Sequence, residues 1–213
     1  MRLVLASASP RRAELLSAAG FSFDTLAVEI DESVRPGEHP ATYVRRLALE
    51  KSARAQAILL EPAGPAGQQG ASVPIGRSQG RPGLPEELVV LGADTTVVVG
   101  DDILLKPRDP LDAARMLRRL SGRRHVVLTG VSLRRNHREL GGVETTAVDF
   151  VSLNEGDVEW YRESGEGLDK AGGYAIQGLA SRFISRIEGS YANVVGLPVC
   201  AVTGWLERLA SAE

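Results

Sequence analysis

One cysteine, Cys200, is all that the 213 residues contain, so no intrachain disulfide can hold the fold together. It lies in the apolar stretch LPVCAV, and the expectation is a small core residue rather than a nucleophile. The three histidines, His39, His125 and His137, are scattered and give no His/Cys metal cluster. Aromatic residues make up 5% of the chain, and the formal net charge is −2. No aromatic-basic face and no global basic field therefore favour nucleic acid. No apolar run approaches the roughly 20 residues of a membrane span. The N-terminal RLVLA reads directly into a strand without a signal-peptide pattern, which makes a reducing cytoplasm the expected location. A Walker lysine loop, a dinucleotide Gly fingerprint and a G-x-S-x-G elbow are all missing.

What remains is a globular composition, with 43% hydrophobic residues and a mean hydropathy of −0.07. Strand and helix patterns alternate. A buried strand at 2–6 leads into a helix at 10–19, and FSFDTLAV at 21–28 reads as a second strand. A long helix runs from Pro40 to about Leu60. Residues 88–106 read as a strand and hairpin turning near Gly100–Asp102, and Asp109 caps a helix from Pro110 to near Gly122. HVVLTGVSL and VETTAVDFVSL supply two further strands, and Asn154 caps a helix stopped by Gly165. The last helix, after Pro198, carries an apolar stripe of Val199, Val202, Leu206 and Leu209. Helices alternating with strands and hairpins predict an α/β fold with a mixed sheet. Pro and Gly recur through 61–87 without apolar period, predicting a flexible surface loop insertion rather than a domain boundary. Trp160 and Trp205 fall on helices and read as packing or interface residues.

Three features point to chemistry. In ASASPRRAELL, Ser9 and Pro10 suit the start of a helix, yet Arg11 and Arg12 follow at once. Free N–H groups and the macrodipole already make that end positive, so two cations there make sense if an anion docks, phosphate above all. On the helix 40–60, Val44, Leu47, Ala48, Ala55, Ile58 and Leu59 share one face at about 100° per residue. Lys51 falls only about 20° from the centre of that face, which is costly unless it is paired or reaches a cleft. Arg45, Arg46 and Arg54 lie off it and read as solvated charge. Asp94 follows the branched run LVVLGAD at an expected strand end, with Gly92 and Ala93 permitting close approach. Taken alone it is as readily a turn aspartate as a catalytic one, and Lys106, ending another strand before Pro107, would be an ordinary surface lysine. Together, Arg11, Arg12, Lys51 and Lys106 with Glu32 and Asp94 supply the cations and carboxylates that a metal-chelated polyphosphate requires.

The segments ASASPRRAELL (6–16), YVRRLALEKSARA (43–55), GADTTVVV (92–99), LLKPRDPLDAARMLRRLSGRRHVVLTGV (104–131), SGEGLDKAGGYAIQG (164–178) and IEGSYANVVGLP (187–198) resemble the Maf (septum-formation-inhibitor-like) nucleoside triphosphate pyrophosphatases. The long 61–87 loop departs from the shorter connection typical of that family. The resemblance implies a mixed central sheet flanked by helices, in one elongated Maf/ITPase-like domain over 1–213 with a cleft between two lobes. It implies a homodimer and a hydrolase dependent on a divalent cation, Mg²⁺ or Mn²⁺, that converts a nucleoside triphosphate to the monophosphate and pyrophosphate. By the same resemblance Asp94 is the proton acceptor, Ser7, Arg11, Arg12, Lys51 and Lys106 handle phosphate, and Glu32 with Asp94 faces the metal. Arg12, Thr95 and Gln177 fall on the specificity positions. DKAGGYAIQG with Gln177 looks like the branch acting on dTTP, UTP and modified pyrimidine nucleotides, since an amide can both donate to and accept from a pyrimidine edge. The alternatives are a same-fold enzyme for 7-methyl-GTP or another purine nucleotide, and a non-catalytic nucleotide-binding regulator of septation. Ser190, Tyr191 and Asn193 read as a structural turn.

Overall fold

A computed structural model of the chain describes residues 1–61 and 88–211. Apart from Glu61, the expected 61–87 insertion lies outside the described residues. The elements are β1 (Arg2–Ala6), α1 (Pro10–Ala18), β2 (Phe23–Thr25), α2 (Pro40–Leu60), β3 (Leu88–Val99), β4 (Asp102–Leu104), α3 (Pro110–Leu120), β5 (Arg124–Arg135), β6 (Arg138–Phe150), α4 (Glu155–Ser164), β7 (Ile184–Glu188), α5 (Tyr191–Val195) and α6 (Val199–Ser211). The strands form one seven-stranded mixed sheet in the order β2-β1-β3-β5-β6-β7, with β4 paired to β3. β1 runs parallel to β2 and β3, and the remaining pairs are antiparallel. The mixed α/β architecture is thus the one expected, with flanking helices on the sheet.

Local signals set most boundaries. Asp109 accepts from the Asp112 N–H to start α3, and Asn154 and Asp157 form a capping box on α4, which Gly165 ends at φ 69°. The strand expected at 21–28 shrinks to β2, because β1, its neighbour among the described residues, stops at Ala6 to enter α1. Cys200 is exposed, not in the core. The buried face of α6 holds Val202, Leu206 and Leu209, and a residue two positions before Val202 points about 200° away.

One face of β3 divides the core. Val89, Leu91 and Ala93 pack with α1 and α6 through Leu16, Val202, Leu206 and Leu209. Further along the same face, Val97 and Val99 pack with α3 and α4 through Leu117, Leu120, Val158 and Tyr161. Thr95 stands between these two clusters. On the opposite face α2 lies along β3 and β5, with Val44 and Leu47 against Val98 and Leu128. The approach is very close. A Cβ on Gly92 would meet the Ala48 carbonyl oxygen at 2.2 Å, and one on Gly130 would meet that of Val44 at 2.2 Å. Both obstacles are helix backbone, so α2 seats directly on the two glycines. We expect Gly92→Ala and Gly130→Ala each to cost about 2–4 kcal/mol in denaturant unfolding. A loss below about 0.5 kcal/mol, the level of an ordinary surface substitution, would contradict this seating.

Candidate active site

The edge of β3 that faces β1 is open over a short stretch. β1 pairs with it only as far as Ala6 opposite Gly92, and β4 begins only at Val97 opposite Leu104. A cleft of about 480 Å³ wraps that gap. Asp94 and Thr95 therefore enter the same cavity from opposite faces of the strand. Asp94 sits at the seventh of the twelve positions of β3, not at a strand end as expected; what ends there is its neighbour. Lys106 lies two residues beyond β4 and is exposed, not the last residue of a strand.

All nine residues singled out from the sequence line this cleft: Ser7, Arg11, Arg12, Glu32, Lys51, Asp94, Thr95, Lys106 and Gln177. α2 delivers Lys51, which is 8% exposed. Its ammonium lies 2.7 Å from Asp94 Oδ1 and 2.6 Å from Glu32 Oε1. The cation on the apolar helix face is thus placed between two carboxylates, which offsets its loss of water. Glu32 comes from the irregular chain after β2, pinned where the Tyr43 hydroxyl donates to the Glu32 carbonyl at 2.9 Å. Partial burial acts to raise the Glu32 pKa, but Lys51, Lys106 and Arg12 outweigh it and leave the carboxyl below its ordinary value.

The paired arginines separate in space. Arg12 is 8% exposed and hydrogen-bonds neutral oxygens: Gly196 O at 2.8 Å, Ser7 Oγ at 3.1 Å and Thr95 Oγ1 at 3.0 Å. Burial, with Arg11 nearby, lowers its pKa against the opposing pull of Asp94 and Glu32. Among the described residues a guanidinium so held has no direct anionic partner, and it faces the cleft. Arg11 instead meets Asp169 at 2.9 Å. Partial burial acts to raise the Asp169 pKa, but hydrogen bonds from Lys170 and Arg11 hold it at about 2. The start of α1 differs from expectation in one detail. Ser9 makes no side-chain cap, and its N–H donates to Ser7 Oγ at 3.1 Å. No acidic residue occupies the first turn of α1, so that end keeps its positive character. Arg45 and Arg46 are not free surface charges either: Arg45 reaches Glu139 at 2.7 Å and Arg46 reaches Glu38 at 2.6 Å, tying α2 to its surroundings.

Sequence reasoning missed Asp169, Lys170, Tyr43 and Tyr174, which also line the cleft. The acidic residue beside a glycine-rich stretch was a usable signal for Asp169. Nothing in the local pattern marks the tyrosines. Tyr191 is exposed, whereas Asn193 is fully buried, donating to Val127 O at 3.1 Å and Thr146 Oγ1 at 3.0 Å, a structural role. Trp160 packs edge-on against Phe183, and Trp205 covers Gly142.

The family model described as Maf-like protein matches residues 2–209. The chain belongs to that family. Among curated Maf relatives, the dTTP/UTP pyrophosphatase of Anaeromyxobacter dehalogenans (strain 2CP-C) is 46% identical over 211 residues, covering 97% of this chain and 93% of that protein. The dTTP/UTP pyrophosphatase of Hahella chejuensis is 47% identical over 199 residues, or 93% and 88% of the two chains. That of Vibrio cholerae is 43% identical over 198 residues, or 93% and 92%.

Beneath the cleft wall, His125 is 2% exposed and its Nε2 lies 2.9 Å from the Tyr174 hydroxyl. Burial pushes its pKa down to about 4, against smaller opposing effects of the Arg123 backbone and Asp149. The unfolded chain takes up this proton near pH 6.5 and the folded chain only near 4, so stability must fall as pH drops through that window. We expect His125 to account for a loss of about 3 kcal/mol between pH 6.5 and 4 in denaturant unfolding. His125→Gln should flatten that slope, and an unchanged slope would contradict the assignment.

Proposed function

We propose that this Maf protein is a nucleoside triphosphate pyrophosphatase acting on dTTP and UTP, with modified pyrimidine nucleotides as further candidates. The observation that carries the reading is the Lys51 ammonium held between Glu32 and Asp94, in the same cleft as Arg11, Arg12 and Lys106. With Lys170 and Asp169, which line the same cleft, five cations and three carboxylates among the described residues surround a space able to hold a triphosphate and a water side by side. The names of the curated relatives support the choice of substrate.

In this reading a water oxygen attacks the α-phosphorus and the bond to the β-phosphate oxygen breaks. Asp94 accepts the water proton, and pyrophosphate leaves. Arg12, without an anionic partner among the described residues, and Arg11 at the start of α1 take phosphate oxygens, with Ser7 donating from the β1–α1 turn. Lys51 and Lys106 neutralise charge that builds on the phosphoryl oxygens during displacement. Thr95 and Gln177 lie along the cleft wall with Arg12, Gln177 presenting one amide donor and acceptor pair to a pyrimidine edge.

The donor set suits a hard divalent cation. Among the described residues no group of three or more His, Cys, Asp or Glu is placed to hold a metal. Mg²⁺ or Mn²⁺ needs no such cage, since one or two carboxylates with substrate phosphates and water suffice. Glu32 and Asp94 would hold it, and its charge would polarise the phosphate oxygens. No helix among the described residues is long and apolar enough to cross a membrane. A cytoplasmic homodimer completes the proposal.

Asp94→Asn should lower kcat by about 100-fold or more in a pyrophosphate-release assay with Mg²⁺ or Mn²⁺. Unchanged turnover would remove Asp94 from the reaction. Across a nucleotide panel, dTTP and UTP should have the highest kcat/KM, and a preference for 7-methyl-GTP or another purine triphosphate would overturn the substrate assignment. Steeply salt-dependent DNA binding without hydrolysis would favour a regulator instead.

A further inference from the structure

The chain around Gln177 is shaped by a carboxylate that the reaction does not use. Ala175 O accepts from the Gly178 N–H at 3.1 Å, so Gln177 sits in a tight turn. Two residues before Gln177, the Ala175 N–H donates to the Tyr161 hydroxyl at 3.1 Å. That hydroxyl donates in turn to Glu166 Oε2 at 2.8 Å. Two residues after Gln177, the Leu179 N–H donates to Glu166 Oε1 at 2.9 Å. One carboxylate therefore grips both flanks of the turn, one directly and one through Tyr161.

The surroundings leave Glu166 little freedom. Tyr161 is 1% exposed and packs edge-on against Phe183. Gly165 ends α4 in the left-handed region, and the Glu166 N–H returns to Ser164 Oγ at 3.2 Å. Lys170 donates to the Glu166 carbonyl at 2.6 Å. A Cβ on Gly178 would stand 2.0 Å from Glu166 Oε1, so only glycine lets the carboxylate come this close to the turn. Gln177 is exposed to the cleft, and among the described residues nothing hydrogen-bonds its amide. Its placement thus rests on the turn and on the two grips.

We propose that Glu166, acting directly and through Tyr161, is a positioning residue that sets where the Gln177 amide stands and hence which nucleobase the cleft accepts. This rests on the reading of the cleft as a pyrimidine-nucleotide site. The chemistry requires a carboxylate rather than an amide, because both oxygens must accept. A glutamine can satisfy Leu179 with its oxygen only by turning its NH₂ toward Tyr161, whose hydroxyl proton then loses its acceptor. Neither residue reaches the triphosphate end of the cleft, so binding and selectivity should change while turnover does not.

The test is steady-state kinetics of Tyr161→Phe, Glu166→Gln and Gly178→Ala on dTTP and dCTP, with Gln177→Ala as reference and unfolding midpoints as the folding control. Each variant should raise KM for dTTP by about tenfold with kcat within about twofold. Each should also lower the dTTP-to-dCTP ratio of kcat/KM by about fivefold or more. Combined with Gln177→Ala, Tyr161→Phe should cost almost no further selectivity, because both act through one amide. A merely structural role would change neither that ratio nor the additivity. If Tyr161→Phe, which keeps the packed ring, retains the ratio while Gln177→Ala loses it, the positioning role is wrong and the pyrimidine reading stands. If the parent protein prefers purines, or Gln177→Ala leaves the ratio intact, the pyrimidine reading fails first and the positioning role with it.

Discussion

Helix α2 can lie on the sheet backbone only because Gly92 and Gly130 have no side chains. That contact is what the candidate cleft depends on. It brings Lys51 down to Asp94 at 2.7 Å, with Glu32 at 2.6 Å on the other side. A lysine on a core-facing stripe would otherwise be a loss, since its ammonium would leave water with nothing in exchange. Here the close seating turns that cost into a local charge cluster. The same helix then secures its surroundings through Arg45 to Glu139 and Arg46 to Glu38, and holds the Glu32 chain through Tyr43.

The cleft itself comes from a gap in pairing. β3 is twelve residues long, but its neighbours on one edge stop at Gly92 and resume at Val97. An unpaired strand edge inside a sheet offers both faces to one cavity, which is why Asp94 and Thr95 can serve it together. The seam also falls where the α1/α6 cluster gives way to the α3/α4 cluster. Neither packing cluster fills the space at Thr95, and Arg12 enters it from α1. Its guanidinium is buried against neutral oxygens among the described residues; in the proposed reading a phosphate oxygen would supply the direct countercharge.

Much of this was legible residue by residue. Arg11 and Arg12 stood out because helix starts disfavour cations, and Lys51 because it broke an apolar stripe. Both anomalies are local violations of simple rules, and such violations are visible without a fold. At Asp94 the run LVVLGAD suggests a strand end, but the strand continues past it and the strand that ends is β1, a fact held in a distant segment. Cys200 was misplaced because an apolar neighbourhood in sequence does not tell which side of α6 turns inward. Asp169 has a local signal, an acidic residue beside a glycine-rich stretch, but its partner Arg11 is 158 positions away. Glu166 bonds Tyr161 and Leu179, 5 and 13 positions away, and no local pattern pairs those residues.

Short-range pattern is enough to specify the capped helices, the mixed sheet and the set of cations, carboxylates and one amide. Those follow from short-range propensities and from the cost of putting charge in the wrong place. Which charges meet is set by the packed fold. Asp169 takes Arg11 while Arg12 is left with neutral oxygens, and Glu166 reaches around the Gln177 turn. The Arg11 and Arg12 contacts join positions 158 and 184 apart, and the Glu166 grip needs the chain from α4 to fold back over 13 residues; such distances exist only once the helices have settled on the sheet.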